Sequence, residues 1–177
     1  MRLFVGITVS EEIKRLIQPV CEQLRQAGGD LSFVHLENIH FTLKFLGDVH
    51  DVQVIIKKLQ EVSFNSFKVS LKGLKSFGTA KELRLIWITV ESKEMKQLAS
   101  LIRAKFPDSE EDKKPYQSHL TLARVKSARN VNIIKTIIKR HANSEFGKML
   151  VDKFVLYSSD LSRGKPVYSV IKEFKLK

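Results

Sequence analysis

A histidine followed two residues later by a threonine occurs twice in this chain, in His40-Phe41-Thr42-Leu43 and in His119-Leu120-Thr121-Leu122, 79 positions apart. Side chains along a β-strand alternate between its two faces. In each copy the imidazole and the hydroxyl would therefore point one way. Phe41 and Leu43, like Leu120 and Leu122, would point into a core. Two such strands side by side would offer two imidazoles and two hydroxyls to one cleft. An imidazole titrates near neutrality, so a facing pair can supply a proton acceptor and a proton donor to the same reaction. In-line attack at phosphorus needs that combination, one group for the nucleophile and one for the departing oxygen. A single such histidine would read more readily as a satisfied, half-buried strand residue. Recurrence of the pattern among only five histidines is what points to chemistry. His35, His50 and His141 lack the following threonine and read as surface or packing residues, with His35 and His50 the candidates for a cleft rim.

The elements that must hold these residues follow from periodicity. Residues 3–9 alternate as a first strand. Ser10 then precedes Glu11 and Glu12, an N-cap with acids suited to the positive end of a helix. Ile13, Leu16, Ile17, Val20 and Leu24 recur at helical spacing, with Pro19 expected to kink or loosen the pattern and Gly28-Gly29-Asp30 to end it. Short strands are expected at 31–34 and 39–46, the second carrying the first signature and closing at Gly47-Asp48. A helix over 52–59 follows. Residues 67–74 and 83–90 alternate around a turn at Gly78-Thr79-Ala80-Lys81 and read as a hairpin. A helix over 95–106, with Leu98, Leu101 and Ile102 inward, leads through a polar loop at 107–115 to a strand over 116–125 that carries the second signature. A helix over 131–138 and strands over 154–158 and 167–174, joined around Arg163-Gly164, complete the chain. Strand, helix, signature strand thus occurs twice. The order predicts an α+β fold: bilobal, two mostly antiparallel sheets with helices packed outside and a central cleft between the signature strands, all within one domain spanning residues 1–177.

With 177 residues the chain is large enough for one well-buried core. The formal net charge of +12 and a pI near 9.8 make nucleic acid the physical default for a partner, because Lys and Arg displace the counterions that phosphates hold. The basic residues are spread along the chain, which favours a folded face over a disordered arm. The single cysteine, Cys21, excludes an intramolecular disulfide and a multi-cysteine metal site; it falls on the first helix and reads as packing in a reducing, cytoplasmic setting. No apolar run reaches membrane-spanning length, and a signal-peptide pattern is absent from the first residues. No phosphate-loop pattern occurs. Neither histidine has an acidic residue at metal-ligand spacing; Asp48 and Asp51 sit where turns usually carry acids. No metal and no cofactor are expected, and a monomer is.

These residues resemble the two-histidine phosphoesterase superfamily, and within it the bacterial and archaeal RNA 2′,3′-cyclic phosphodiesterases, also called 2′-5′ RNA ligases. The resemblance runs through Met1-Arg2-Leu3-Phe4-Val5-Gly6-Ile7, His40 to Gly47, Ser118 to Val125, Leu156-Tyr157-Ser158-Ser159-Asp160-Leu161 and Pro166-Val167-Tyr168. It implies hydrolysis of a terminal 2′,3′-cyclic phosphate on RNA to a 2′-phosphate without a metal, and in some members a joining of RNA ends through a 2′-5′ linkage. By the same resemblance His40 and His119 are the catalytic pair, Thr42 and Thr121 bind the phosphate, and Arg124 is the family's basic residue after the second signature. His40 is assigned as acid to the departing 3′ oxygen and His119 as base, an order the sequence does not settle. Arg124 lies five residues beyond His119, an odd offset that a regular strand would turn to the opposite face. For it to touch phosphate, a bulge or the strand's end must re-aim it. Lys44 shares the parity of His40 and Thr42, so it would approach the phosphate or end in solvent. Phe45, Tyr116, Phe154 and Tyr157 lie close in sequence to the expected cleft elements and are candidates to stack on a base, although most phenylalanines here read as core; Tyr116 is the best exposed candidate for RNA contact. Two rival readings stand beside this one: a non-catalytic RNA-binding module, and a phosphodiesterase acting on 2′-5′ oligoadenylate or another cyclic nucleotide.

Overall fold

Alternation builds the first strand, β1 (Arg2–Thr8), in which Leu3, Val5 and Ile7 face the core. The computed structural model describes residues 1–78, 83–107, 115–127, 129–160 and 166–177. The expected turns at residues 79–81 and at Arg163-Gly164, and residues 108–114 of the polar loop, lie outside the described residues. Helix α1 (Glu11–Gln26) starts where Ser10 Oγ accepts the backbone N–H of Ile13, with Glu11 and Glu12 in its first turn. It runs unbroken through Pro19, an exposed position at which water can serve the carbonyl a proline leaves unbonded. Ile13, Ile17, Val20, Cys21 and Leu24 are buried, whereas Leu16, expected inward, is 48 % exposed at the edge of the stripe.

Short β2 (Leu31–Phe33) precedes β3 (His40–Asp48), which carries the first signature. Helix α2 (Val52–Gln60) is capped by the Asp51 carboxylate, which accepts from the N–H groups of Gln53 and Val54. The hairpin strands are β4 (Phe67–Gly78) and β5 (Leu83–Glu91). Helix α3 (Lys93–Ala104) buries Met95, Leu98, Ala99 and Ile102. Leu101, expected inward, lies on the flank of that stripe and is 46 % exposed. The second signature strand, β6 (His119–Val125), begins three residues later than expected, and α4 (Val131–Arg140) follows it. Strand β7 (Glu145–Val151) has no counterpart in the sequence reading. Its Gly147, at φ +102°, resembles a breaker in the sequence. In the fold it lets α1 lie close on the sheet, since a Cβ there would stand 2.7 Å from Leu16 Cδ1 and 2.8 Å from Ile13 Cδ1. Strands β8 (Lys153–Asp160) and β9 (Val167–Lys175) end the fold.

All strand pairs are antiparallel. The first sheet has the order β3-β1-β8-β9 and the second β2-β6-β5-β4-β7. The helices interlock the lobes: α1, which follows a strand of the first sheet, packs on β7 of the second, and α3, which follows a strand of the second, packs on β3 of the first. The inner faces of both sheets consequently share one continuous apolar core. The opposite faces flank a cleft in which the signature strands β3 and β6 approach each other. Among the described residues no helix is long and apolar enough to cross a membrane.

Candidate active site

The alternation expected of β3 holds for its first four residues. Phe41 and Leu43 are fully buried, and His40 and Thr42 lie half-buried on the cleft face. Strand β6 repeats this, with Leu120 and Leu122 buried and His119 and Thr121 on the cleft face. Immediately after each threonine the pairing slips by one residue. Gly6 opposes Thr42 but Val5 opposes Lys44, so Leu43 is an extra residue on β3. Trp87 opposes Thr121 but Ile86 opposes Ala123, so Leu122 is an extra residue on β6. The two β-bulges are equivalent, and each reverses the facing of the residues that follow it, on β3 as far as a second slip at Leu46.

The bulge resolves the odd offset of Arg124. It pairs with Leu85 and comes round to the face of His119 and Thr121, where it is exposed. Its charge is near enough to the Tyr168 phenol, on the first sheet, to act on that group's ionisation. The same bulge overturns both expectations for Lys44. Pairing with Val5 turns it into the interior, where it is 3 % exposed, and Phe45 takes the cleft face instead, 46 % exposed. Tyr116 also departs from expectation. Its ring packs against the core under the Arg103 guanidinium, and its hydroxyl donates to the Thr42 carbonyl at 3.0 Å. Burial pushes the phenol up to about 12. Tyr116 is thus a strut from the approach to β6 onto the backbone of β3, and its ring is not offered to solvent for stacking.

Both imidazoles are held by the same device. His40 Nδ1 donates to the carbonyl of Asn38 at 2.7 Å, and His119 Nδ1 donates to the carbonyl of Gln117 at 2.8 Å, two residues upstream in each case. A carbonyl can only accept, so the proton sits on Nδ1 and the neutral ring presents a bare Nε2. For His40 that Nε2 lies 3.0 Å from the Thr42 hydroxyl. Burial depresses the His40 pKa below the ordinary imidazole value; the Asn38 carbonyl opposes this, and the charge of His119 adds to it. The last contribution places the two rings within electrostatic reach of each other.

Several residues that shape the site were not singled out from the sequence for that role. Beneath His40 lies a small apolar cluster on the cleft side of the first sheet, formed by Phe4, Val155, Tyr157 and Tyr168 and separate from the main core. The His40 ring centroid is 4.7 Å from that of Phe4 and 5.3 Å from that of Tyr168, which meets it edge-on. Gly6 makes room for it: a Cβ there would fall 3.3 Å from His40 Cδ2 and 2.9 Å from the Phe41 carbonyl oxygen. Thr8, opposite His40, shares a 2.7 Å hydrogen bond with the Tyr157 hydroxyl. In the second lobe the Trp87 ring lies 4.7 Å from that of His119. The signals existed in part. A glycine inside an apolar strand marks a close approach, and Trp87 alternates with buried Ile86 and Ile88, which sends it to the opposite face. Among the described residues no three His, Cys, Asp or Glu side chains gather as a metal site.

The chain is similar over nearly its whole length to proteins already characterised. The sequence profile of the 2′-5′ RNA ligase superfamily matches residues 10–163. The RNA 2′,3′-cyclic phosphodiesterase of Archaeoglobus fulgidus is 33 % identical, covering 99 % of this chain and 100 % of that protein. The protein of the same name from Aquifex aeolicus is 32 % identical, covering 99 % and 97 %. The crystal structure of TT0787 of Thermus thermophilus superposes with a TM-score of 0.82 at 25 % identity, covering 99 % of this chain and 97 % of that one. Escherichia coli LigT in its apo form, at 24 % identity and a TM-score of 0.77, has the same fold. With two equivalent His-x-Thr strands on either side of one cleft and these relatives along its full length, the chain belongs to the RNA 2′,3′-cyclic phosphodiesterase family of the two-histidine phosphoesterases.

Proposed function

We propose that this protein hydrolyses the 2′,3′-cyclic phosphate at the end of an RNA strand to a 2′-phosphate, by acid–base catalysis between His40 and His119 that draws on no metal. The observation that carries the reading is the pair of imidazoles with Nδ1 tied to a carbonyl and Nε2 turned to one cleft. The cyclic phosphate docks between β3 and β6, with the Thr42 and Thr121 hydroxyls on its non-bridging oxygens and the Arg124 guanidinium balancing its charge. His119 Nε2 takes a proton from water as the water oxygen bonds to phosphorus. The bond from phosphorus to O3′ breaks, and His40 Nε2 delivers its proton to O3′. In the free cleft burial favours the neutral form of His40. An anionic phosphate against the ring favours the imidazolium and restores the proton this step needs. Phe45, exposed at the mouth of the cleft, is suited to stack on the terminal base. Replacing the water by the 5′-hydroxyl of a second RNA would make the same displacement yield a 2′-5′ linkage.

The test is a substrate panel in the presence of a chelator: a nucleoside 2′,3′-cyclic phosphate, an RNA oligonucleotide with that terminus, and 2′-5′ oligoadenylate. The expected result is conversion of the first two to 2′-phosphates at a rate the chelator does not change. Binding without turnover would establish the RNA-binding module instead, and cleavage confined to 2′-5′ oligoadenylate would reassign the substrate.

A further inference from the structure

The cleft face of the second sheet continues past His119 and Thr121 across β5 and β4. Register fixes what it carries. Thr121, Trp87 and Lys75 form one row across the three strands, and Arg124, Leu85 and Phe77 form the next. Phe77 is 59 % exposed, and its ring lies 6.4 Å from that of Trp87 at a shallow angle of 33°. Lys75 stands exposed beside them, with no acid in its row. Further along the same face of β4, Lys72 is opposed by Glu145. Neighbouring strands are about 4.8 Å apart, which sets Phe77 roughly 10 Å from the column of Arg124. An exposed aromatic ring backed by an indole and flanked by cations is a surface for a nucleobase and its phosphate.

We propose that this face, centred on Phe77 with Lys75 beside it, binds the nucleotide that precedes the cyclic phosphate: its base stacks on Phe77, and the phosphate joining it to the terminal nucleoside meets Lys75. The proposal rests on the reading of the cleft as a site for RNA ends. It makes the protein a reader of at least two nucleotides, one held by each lobe.

Trp87 is the only tryptophan in the chain, so its fluorescence reports on this face without any turnover. The probes are adenosine 2′-phosphate and the dinucleotide ApA carrying a 2′-phosphate at its 3′-terminal residue. The dinucleotide should bind more tightly to the unaltered protein. Phe77→Ala should weaken the dinucleotide about fivefold or more and leave the mononucleotide unchanged, whereas Phe77→Tyr should retain dinucleotide affinity. Lys75→Ala should lower the salt slope of dinucleotide binding by about one and leave that of the mononucleotide unchanged. Equal loss of both ligands in Phe77→Ala, or loss of neither, would overturn the proposal. If the unaltered protein hydrolyses no cyclic phosphate, the assigned reaction falls, while the titration still decides whether this face binds the second nucleotide.

Discussion

Gly6 and Trp87 occupy equivalent places in the two sheets, each opposite the threonine of a signature strand. Gly6 leaves a gap that the His40 ring fills, above Phe4 and against Tyr168. Trp87 fills the corresponding gap itself and stands beside His119. The difference extends along the strands. Beyond the bulge the first lobe puts Phe45 on the cleft face where the second puts Arg124, and it buries Lys44 where the second buries Ala123. Thr8 has Tyr157 as a hydrogen-bond partner, whereas the hydroxyl of Thr89 is buried without one among the described residues. One backbone device, a His-x-Thr strand with a bulge after the threonine, is thus set in two surroundings. The shared part fixes the tautomer and aim of both rings. The unshared part makes one ring enclosed and the other more open, a difference suited to the separate acid and base roles proposed for them.

The comparison breaks most visibly at the rings themselves. His40→Ala and His119→Ala should each lower kcat on the order of a hundredfold or more, and the double variant should cost little beyond either single one, because the two groups serve one proton cycle. Steady-state rates at saturating cyclic phosphate decide this, and near-normal turnover in His119→Ala would remove the paired mechanism. A smaller loss should follow Gly6→Ala. The added methyl meets a backbone oxygen that cannot move away cheaply, so the strand or the His40 ring must shift. The expected cost is about 1–3 kcal/mol of stability, read from the urea midpoint, with kcat reduced about tenfold for a misaimed ring. Unchanged kcat would show that the gap at Gly6 does not position His40.

The smallest effect is electrostatic. The charge that His119 carries when protonated acts to depress His40, so His119→Gln, which removes it, should raise the His40 pKa as followed by NMR titration of the ring protons. In the unaltered protein a bound phosphate anion should act in the same direction. The proton donor then survives to higher pH in the complex than in the free protein, and the alkaline limb of kcat should lie above that of kcat/KM. Coincident limbs would mean that the phosphate does not approach His40.

Much of this architecture was open to a reader of the chain. The two signatures and the strand–helix–strand order around each were legible because strand alternation and helical spacing are local properties. Other features were not local. Strand β7 was hidden because Gly147 suits the approach of a helix far away in sequence. Leu16 and Leu101 have core chemistry but sit at the margins of their helical stripes, where tertiary packing and not helical spacing decides burial. Lys44, Phe45 and Arg124 were misjudged or left undecided for a single reason: a period of two holds only while the register holds.

The order of residues alone determined that two histidines and two threonines would be presented on strands, since the period of the strand follows from backbone geometry at each residue. Which residues joined them was decided by the folded sheets. A bulge exists only relative to a partner strand, and the partners β1 and β5 are what define the slips at Leu43 and Leu122. The same holds for the depressed pKa of His40, which arises from burial and from a charge 79 residues away that only tertiary packing brings near.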